Sequence, residues 1–225
     1  MKNNINSILA LIQRETKITY RNFASFFSIG MFFLLGILIF VFSIGENKDI
    51  FNQIGIGIIW TLVLLSNTLS LRKFFQDDFD DNSLIVFNLS GLSYEIIALI
   101  KIIIIWFFIQ IPFFLIIPLA VFLLNIKLIN IEILLISFLM GSVIITSITS
   151  ISGSMNLLNK RNFAIGSLII MILSIPVIIF GVSIVDASEE LLNAQLKILL
   201  GIMLFFLAIS PWICGICIKI SIQNK

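Results

Sequence analysis

Four carboxylates crowd into five consecutive positions, Asp77, Asp78, Asp80 and Asp81, with Phe79 between them and Phe74 and Phe75 just upstream. Arg72 and Lys73 precede this block, and Asn82, Ser83, Leu84, Ile85, Val86 and Phe87 follow it. A carboxylate run can hold a divalent cation, but this spacing matches no known cation loop. A solvated loop has no need of three phenylalanines, and exposed aromatic surface usually marks a docking site. The segment therefore reads as a short amphipathic helix that presses an aromatic face into a groove on a cytoplasmic partner. Asp81 or Asn82 is placed to cap the helix that follows, because either side chain accepts orphan N–H groups. A solvated connector, whose aspartates simply favour water, is the open alternative.

The other chemistry-bearing residues point away from catalysis. Cys214 and Cys217 form a C-x-x-C, but among apolar neighbours deep in a long apolar run, where thiols are inert rather than redox-active. Ser142, Thr146, Ser150 and Ser154 recur at four-residue steps beside Gly141 and Gly153. Small residues at that spacing let membrane helices approach closely, and a polar path is the alternative. The chain has no histidine, which removes His-based triads, His metal sites and His ligation of heme by this chain. It has no Gly-Lys pair either, hence no phosphate-cradling loop of the P-loop type. No apolar run carries a central ionisable residue, which argues against a proton- or sodium-driven carrier. A serine nucleophile would lack a base, so the chain is expected not to be an enzyme.

These residues must be positioned by membrane helices. Of 225 residues, 60% are hydrophobic and 12% charged, about half the charged share of a soluble domain. A span needs about 20 apolar residues to cross roughly 30 Å of hydrocarbon. Such runs predict spans near 22–45, 50–71, 96–126, 133–159, 162–185 and 198–218, in one transmembrane domain over 1–225. In the third, Lys101 is expected to snorkel toward headgroups. Pro112, Pro118, Pro176 and Pro211 all fall within spans, where neighbours can re-satisfy the freed carbonyls. The fold class is thus all-α integral membrane protein, six spans, with no soluble domain on either face and no cleavable signal expected. A net charge of +2 and the absence of any basic arm give no support for nucleic acid as a partner.

Orientation follows from the basic residues. With a cytoplasmic N-terminus, Lys2, Arg14, Lys17, Arg21, Arg72, Lys73, Lys101, Lys160, Arg161, Lys219 and Lys225 lie inside, and only Lys48, Lys127 and Lys197 outside. Both termini are then cytoplasmic, 72–95 is a cytoplasmic loop, and 46–49, 127–132 and 186–197 are short outer loops. Ahead of the first span, Ile5, Ile8, Leu9 and Ile12 recur at helical spacing, with Arg14, Lys17 and Arg21 following. Residues 3–21 read as an interfacial helix with its basic residues near anionic headgroups and its apolar side in membrane lipid. An ordinary polar tail is the alternative.

Several stretches resemble heme exporter protein B, the permease-like subunit of an ABC-type complex in cytochrome c maturation. They are Gly55-Ile56-Gly57-Ile58-Ile59-Trp60, Leu64-Leu65-Ser66, Phe74-Phe75-Gln76-Asp77-Asp78 and Asp81-Asn82-Ser83-Leu84. Ser43-Ile44-Gly45-Glu46, the Pro112 to Pro118 region, Ile175 to Phe180 and Ile220-Ser221-Ile222-Gln223 extend the likeness along nearly the whole chain. The family usually has Gly where Asn82 stands and an acidic residue where Ile85 stands. Asn82 tolerates left-handed backbone angles, while Ile85 removes one charge.

The resemblance implies an ABC-2-type permease fold in the bacterial inner membrane, with the mitochondrial inner membrane as the alternative. It implies a heme exporter A-type ATPase as partner, with a heme exporter C-type membrane protein, a small single-span subunit, a periplasmic heme chaperone and a second copy of the chain. ATP would bind the partner, heme would be the complex's substrate, and this chain would hold no cofactor or metal. Phe74, Phe75, Asp77, Asp78, Asp81, Asn82, Ser83 and Leu84 would form the ATPase-coupling loop. Alternatives are another ABC-2-type exporter and a passive assembly scaffold.

Overall fold

Hydrocarbon offers no partner to a backbone N–H or C=O, so a chain this apolar has to satisfy them within helices. The computed structural model describes residues 2–45, 48–126, 131–158, 163–185 and 187–225. Among them every regular element is helical. The order is α1 (Lys2–Arg21), α2 (Phe23–Ile44), α3 (Lys48–Thr68), a 3₁₀ turn (Leu71–Lys73), α4 (Gln76–Asp80), α5 (Ser83–Leu89), α6 (Tyr94–Leu123), α7 (Ile131–Leu158), α8 (Phe163–Leu173), α9 (Ile175–Ser183) and α10 (Glu189–Gln223).

Six of these stretches are long and apolar enough to cross a membrane, with α8 and α9 acting together as the fifth. The chain is therefore an all-α, multi-pass membrane protein. Burial identifies the central helix: 67% of the apolar window of α7 is covered, against 22% for α2. α7 packs along α10, α8 and α9 and touches α3, α6 and the 3₁₀ turn, while α2 lies against α6 and α3.

The close approaches are made by glycine. The indole of Trp60 on α3 is buried between Gly141 on α7 and Gly181 on α9, and a Cβ at either glycine would collide with the ring. The α7 hydroxyls mostly bond back to their own helix: Thr149 donates to the Ile145 carbonyl, Ser150 to Ser147 and Ser154 to Ile151, each at 2.7 Å. Cys214 on α10 reaches across to the Ser150 hydroxyl at 3.6 Å. Both cysteines are free and buried, as their apolar setting led one to expect.

Three expectations need correction. Residues 189–197 are not an outer loop, because α10 starts at Glu189, capped by Ser188 in extended conformation, and continues past 218 to Gln223. Within 72–95 the short helix expected is present, but the segment as a whole is not a loop: it folds into the 3₁₀ turn, α4, α5 and the start of α6. Pro176 does not kink a continuous span: it sits in the first turn of α9 after a break at Ser174, where its missing N–H costs nothing. Pro112, Pro118 and Pro211 do lie inside continuous helices. The expected positions of Glu46, Lys127, Lys160, Arg161 and Asp186 lie outside the described residues.

Candidate functional site

Helix α1 buries Leu11, Glu15 and Thr19 at successive four-residue steps, so its covered stripe carries a carboxylate in the middle. α4 is a single turn whose Asp78 and Phe79 point inward. α6 brings Lys101 to the same point, with 3% of its side chain exposed.

The four charges form a closed ring. Lys101 Nζ donates to Glu15 Oε2 at 2.8 Å and to Asp78 Oδ2. Arg14 donates from Nη1 to Glu15 Oε1 at 2.6 Å and from Nη2 to Asp78 Oδ1 at 3.0 Å. Each carboxylate thus gives one oxygen to each cation, and the charges cancel. Arg14 also donates to Ser83 Oγ at 3.1 Å and stacks over Phe87 at 4.7 Å. Burial alone would lower the Arg14 pKa, but Asp78 and then Glu15 outweigh it and hold the guanidinium above its ordinary value.

The ring joins α1, α4 and α6, elements far apart in sequence. Removing one member would leave an uncompensated buried charge, which costs about 3–5 kcal/mol. It offers no nucleophile and no free base, so what it can do is mechanical: fix α4 and α1 to a membrane-spanning helix.

The residues read from sequence fall on two sides of α4 and α5. Phe74, Phe75, Phe79 and Leu84 are buried, none more than 2% exposed. The expected exposed aromatic face is therefore overturned. The rings fill the core because Phe74 and Phe75 follow directly from the buried Leu71 of the 3₁₀ turn, which lies against α7. Asp77 and Asp81 stay exposed and Ser83 half so. Asn82 holds the N-cap position of α5 without a side-chain cap bond, and Asp81 just before it supplies one, accepting the Ser83 backbone N–H at 2.8 Å. Burial pushes the Asp81 pKa up, but the Ser83 bonds, Arg14 and Lys101 outweigh it and bring it below its usual value. Asn82 takes the left-handed turn at φ 64°, and its side-chain oxygen accepts from Lys225 Nζ at 2.7 Å. Lys225 also donates to the Phe79 carbonyl at 2.6 Å.

Lys101 does not snorkel to headgroups, and Arg14 is turned inward rather than toward lipid; both corrections have the same cause, the buried carboxylates of Glu15 and Asp78. Sequence reading missed Glu15 altogether. The available signal was its register, four residues from Leu11 and from Thr19 on the covered face. Ile5, Leu9 and Ile12 of α1 remain exposed. Also missed were Val86 and Leu89 on α5, which are 62% and 81% exposed. Val86 borders a cavity of about 250 Å³ between α1 and α5, walled by Leu11, Arg14 and Phe87. A second cavity, about 170 Å³, opens between α6, α7 and α10 beside Trp106, Thr146, Ser147 and Ser210. It is apolar apart from these groups, and no charge reaches it.

Residues 6–221 match the model of the family described as CcmB protein. The chain belongs to that family. It is 31% identical over 149 residues to heme exporter protein B of Haemophilus influenzae, covering 66% of this chain and 67% of that protein. It is 27% identical over 156 residues to heme exporter protein B of Pseudomonas aeruginosa, covering 69% and 70% respectively. The CcmB match takes in α1, the ring and almost all of α10, so the charged ring lies inside the shared region.

Proposed function

We propose that this CcmB-family chain is the non-catalytic membrane subunit of an ABC-type complex of cytochrome c maturation. A separate ATPase chain, of heme exporter A type, burns the nucleotide. The complex uses that energy for heme export or for release of a heme-loaded periplasmic chaperone. Its other members are a heme exporter C-type protein and a small single-span subunit. Family membership and relatives named heme exporter protein B support this reading. The bias of basic residues supports a cytoplasmic face for α1, α4, α5 and Lys225, in a bacterial inner membrane.

The observation that carries the coupling role is the charged ring. A push on α4 is delivered through Asp78 to Lys101, and so into the spanning helix α6. The contact surface differs from the one expected from sequence: Asp77, Asp80 and Asp81 offer charge, and Val86 and Leu89 offer exposed apolar area. Exposed apolar groups rimmed by polar ones are the mark of a docking site. Phe74, Phe75 and Leu84 support that surface from behind.

The test replaces the exposed pair, Val86→Asp with Leu89→Asp, which leaves the ring untouched. Co-purification of the ATPase and cytochrome c output should both fall at least about tenfold, the effect of about 1.4 kcal/mol, while the melting temperature holds. Unchanged co-purification and output would remove the coupling role. Labelling of a cysteine at Asn82 from outside the cell would remove the orientation.

A further inference from the structure

Beside the charged ring lies a polar cavity of about 210 Å³, far more than the 10–15 Å³ or so that one water requires. It opens where α1 turns into α2 at Asn22, and where α3 has just given way to the 3₁₀ turn. Both are span boundaries, so the cavity sits at headgroup depth. Its inner wall is Glu15, Asp78 and Lys101, whose charges are already matched within the ring. Two opposite charges on the remaining wall are not matched: neither Lys73 nor Asp77 has an ion pair within 4.0 Å among the described residues. Lys73 Nζ lies instead over the Phe26 ring at 4.6 Å. Burial holds the Lys73 pKa below its ordinary value, and the charge of Asp77 offsets this only in part. Thr19, which is 5% exposed, also lines the cavity.

The occupant has to satisfy both charges at once. A free anion would face Asp77 as well as Lys73, and a simple cation the reverse. A zwitterion with a phosphate and an N–H-bearing ammonium meets both. The cavity leads to apolar surface: Phe26 contacts Phe108 at 6.2 Å between ring centres, and a groove of about 250 Å³ runs beside Phe107 and Phe108 along α6. That groove suits an acyl chain. We propose that the cavity is a headgroup site for an ethanolamine phospholipid. The phosphate sits at Lys73 and the Thr19 hydroxyl, and the primary ammonium donates to Asp77. Choline lipids lack the N–H donors, and glycerol lipids lack the cation. This site shares Asp77 with the surface proposed for the ATPase, and its test uses this chain alone, so the two readings can fail separately.

The test is native mass spectrometry of the full chain in detergent, offered equal amounts of phosphatidylethanolamine, phosphatidylcholine and phosphatidylglycerol. One charge-assisted hydrogen bond, about 1.5–3 kcal/mol, sets the expected preference for the ethanolamine lipid at tenfold or more. Asp77→Asn should bring it down to the choline level, whereas Lys73→Gln should weaken retention of all three lipids alike, since each carries the phosphate. The conservative pair, Lys73→Arg with Asp77→Glu, keeps each charge in place and should retain most of the preference, which separates loss of the site from loss of the fold. Excess soluble phosphoethanolamine should not displace the lipid, because it cannot fill the groove; displacement would overturn the lipid assignment. Equal retention of the three lipids, a preference that survives Asp77→Asn, or retention that Lys73→Gln leaves unchanged would overturn the site.

Discussion

The charged ring at one end of the molecule and the hydroxyl seam along α7 are both polar regions in an apolar protein, yet they are satisfied in opposite ways. In the ring every bond crosses between elements except the one between Arg14 and its neighbour Glu15. In the seam, Thr149, Ser150 and Ser154 bond to carbonyls of their own helix, Thr146, Ser147 and Ser152 have no partner among the described residues, and the contact from α10 is the long thiol bond of Cys214. Cross-element charge bonds are directional and hold one geometry. Self-satisfied hydroxyls present small, smooth surfaces that tolerate a shift between helices. The difference is one of attachment: α4 and α6 are tied by charge across elements, whereas α7 and α10, though closely packed, meet through small groups that mostly bond within their own helix.

The largest effect should come from cutting the ring. Lys101→Ala leaves Glu15 and Asp78 facing each other without a cation, and unfolding in detergent should lose about 3–5 kcal/mol. A loss under about 1 kcal/mol, as for an exposed ion pair, would mean that the ring is no grip at all. Ser150→Ala should cost about 0.6 kcal/mol, the mean for a hydrogen bond between membrane helices. A cost like that of Lys101→Ala would erase the contrast. The smallest effect is at Asp81 on the rim. Its folded pKa lies below the unfolded value of about 3.9, so its contribution is complete above that pH and disappears as pH falls through the folded value. Melting temperatures of the protein and of Asp81→Asn should therefore differ at pH 6 and converge below about pH 4. A gap that stays constant down to pH 3 would show that Asp81 has no link to the ring.

The spans were legible because a bilayer sets both the length and the apolarity of a crossing helix, and neither needs knowledge of neighbours. The left-handed turn at Asn82 was legible from the glycine that the resembled family carries there, and the burial of the two thiols from their apolar neighbours. Burial of Phe74, Phe75 and Phe79 was not, since aspartates within a few residues make the segment look solvated whichever way its rings face. Lys101 was misjudged because a lysine near a helix end ordinarily reaches for water. Its partner Glu15 stands 86 positions away, beyond any pattern in a local window. The break in the fifth span was hidden because Ser174 and Pro176 occur equally in kinked, continuous membrane helices.

Lys225 clasps the Phe79 carbonyl and the Asn82 side chain, which lets the carboxyl-terminal tail serve as a built-in gauge. A small fluorophore attached there would sit within a few bonds of the surface assigned to the nucleotide-hydrolysing partner. Its polarisation would report, in intact membranes, when that surface is occupied and when it is released.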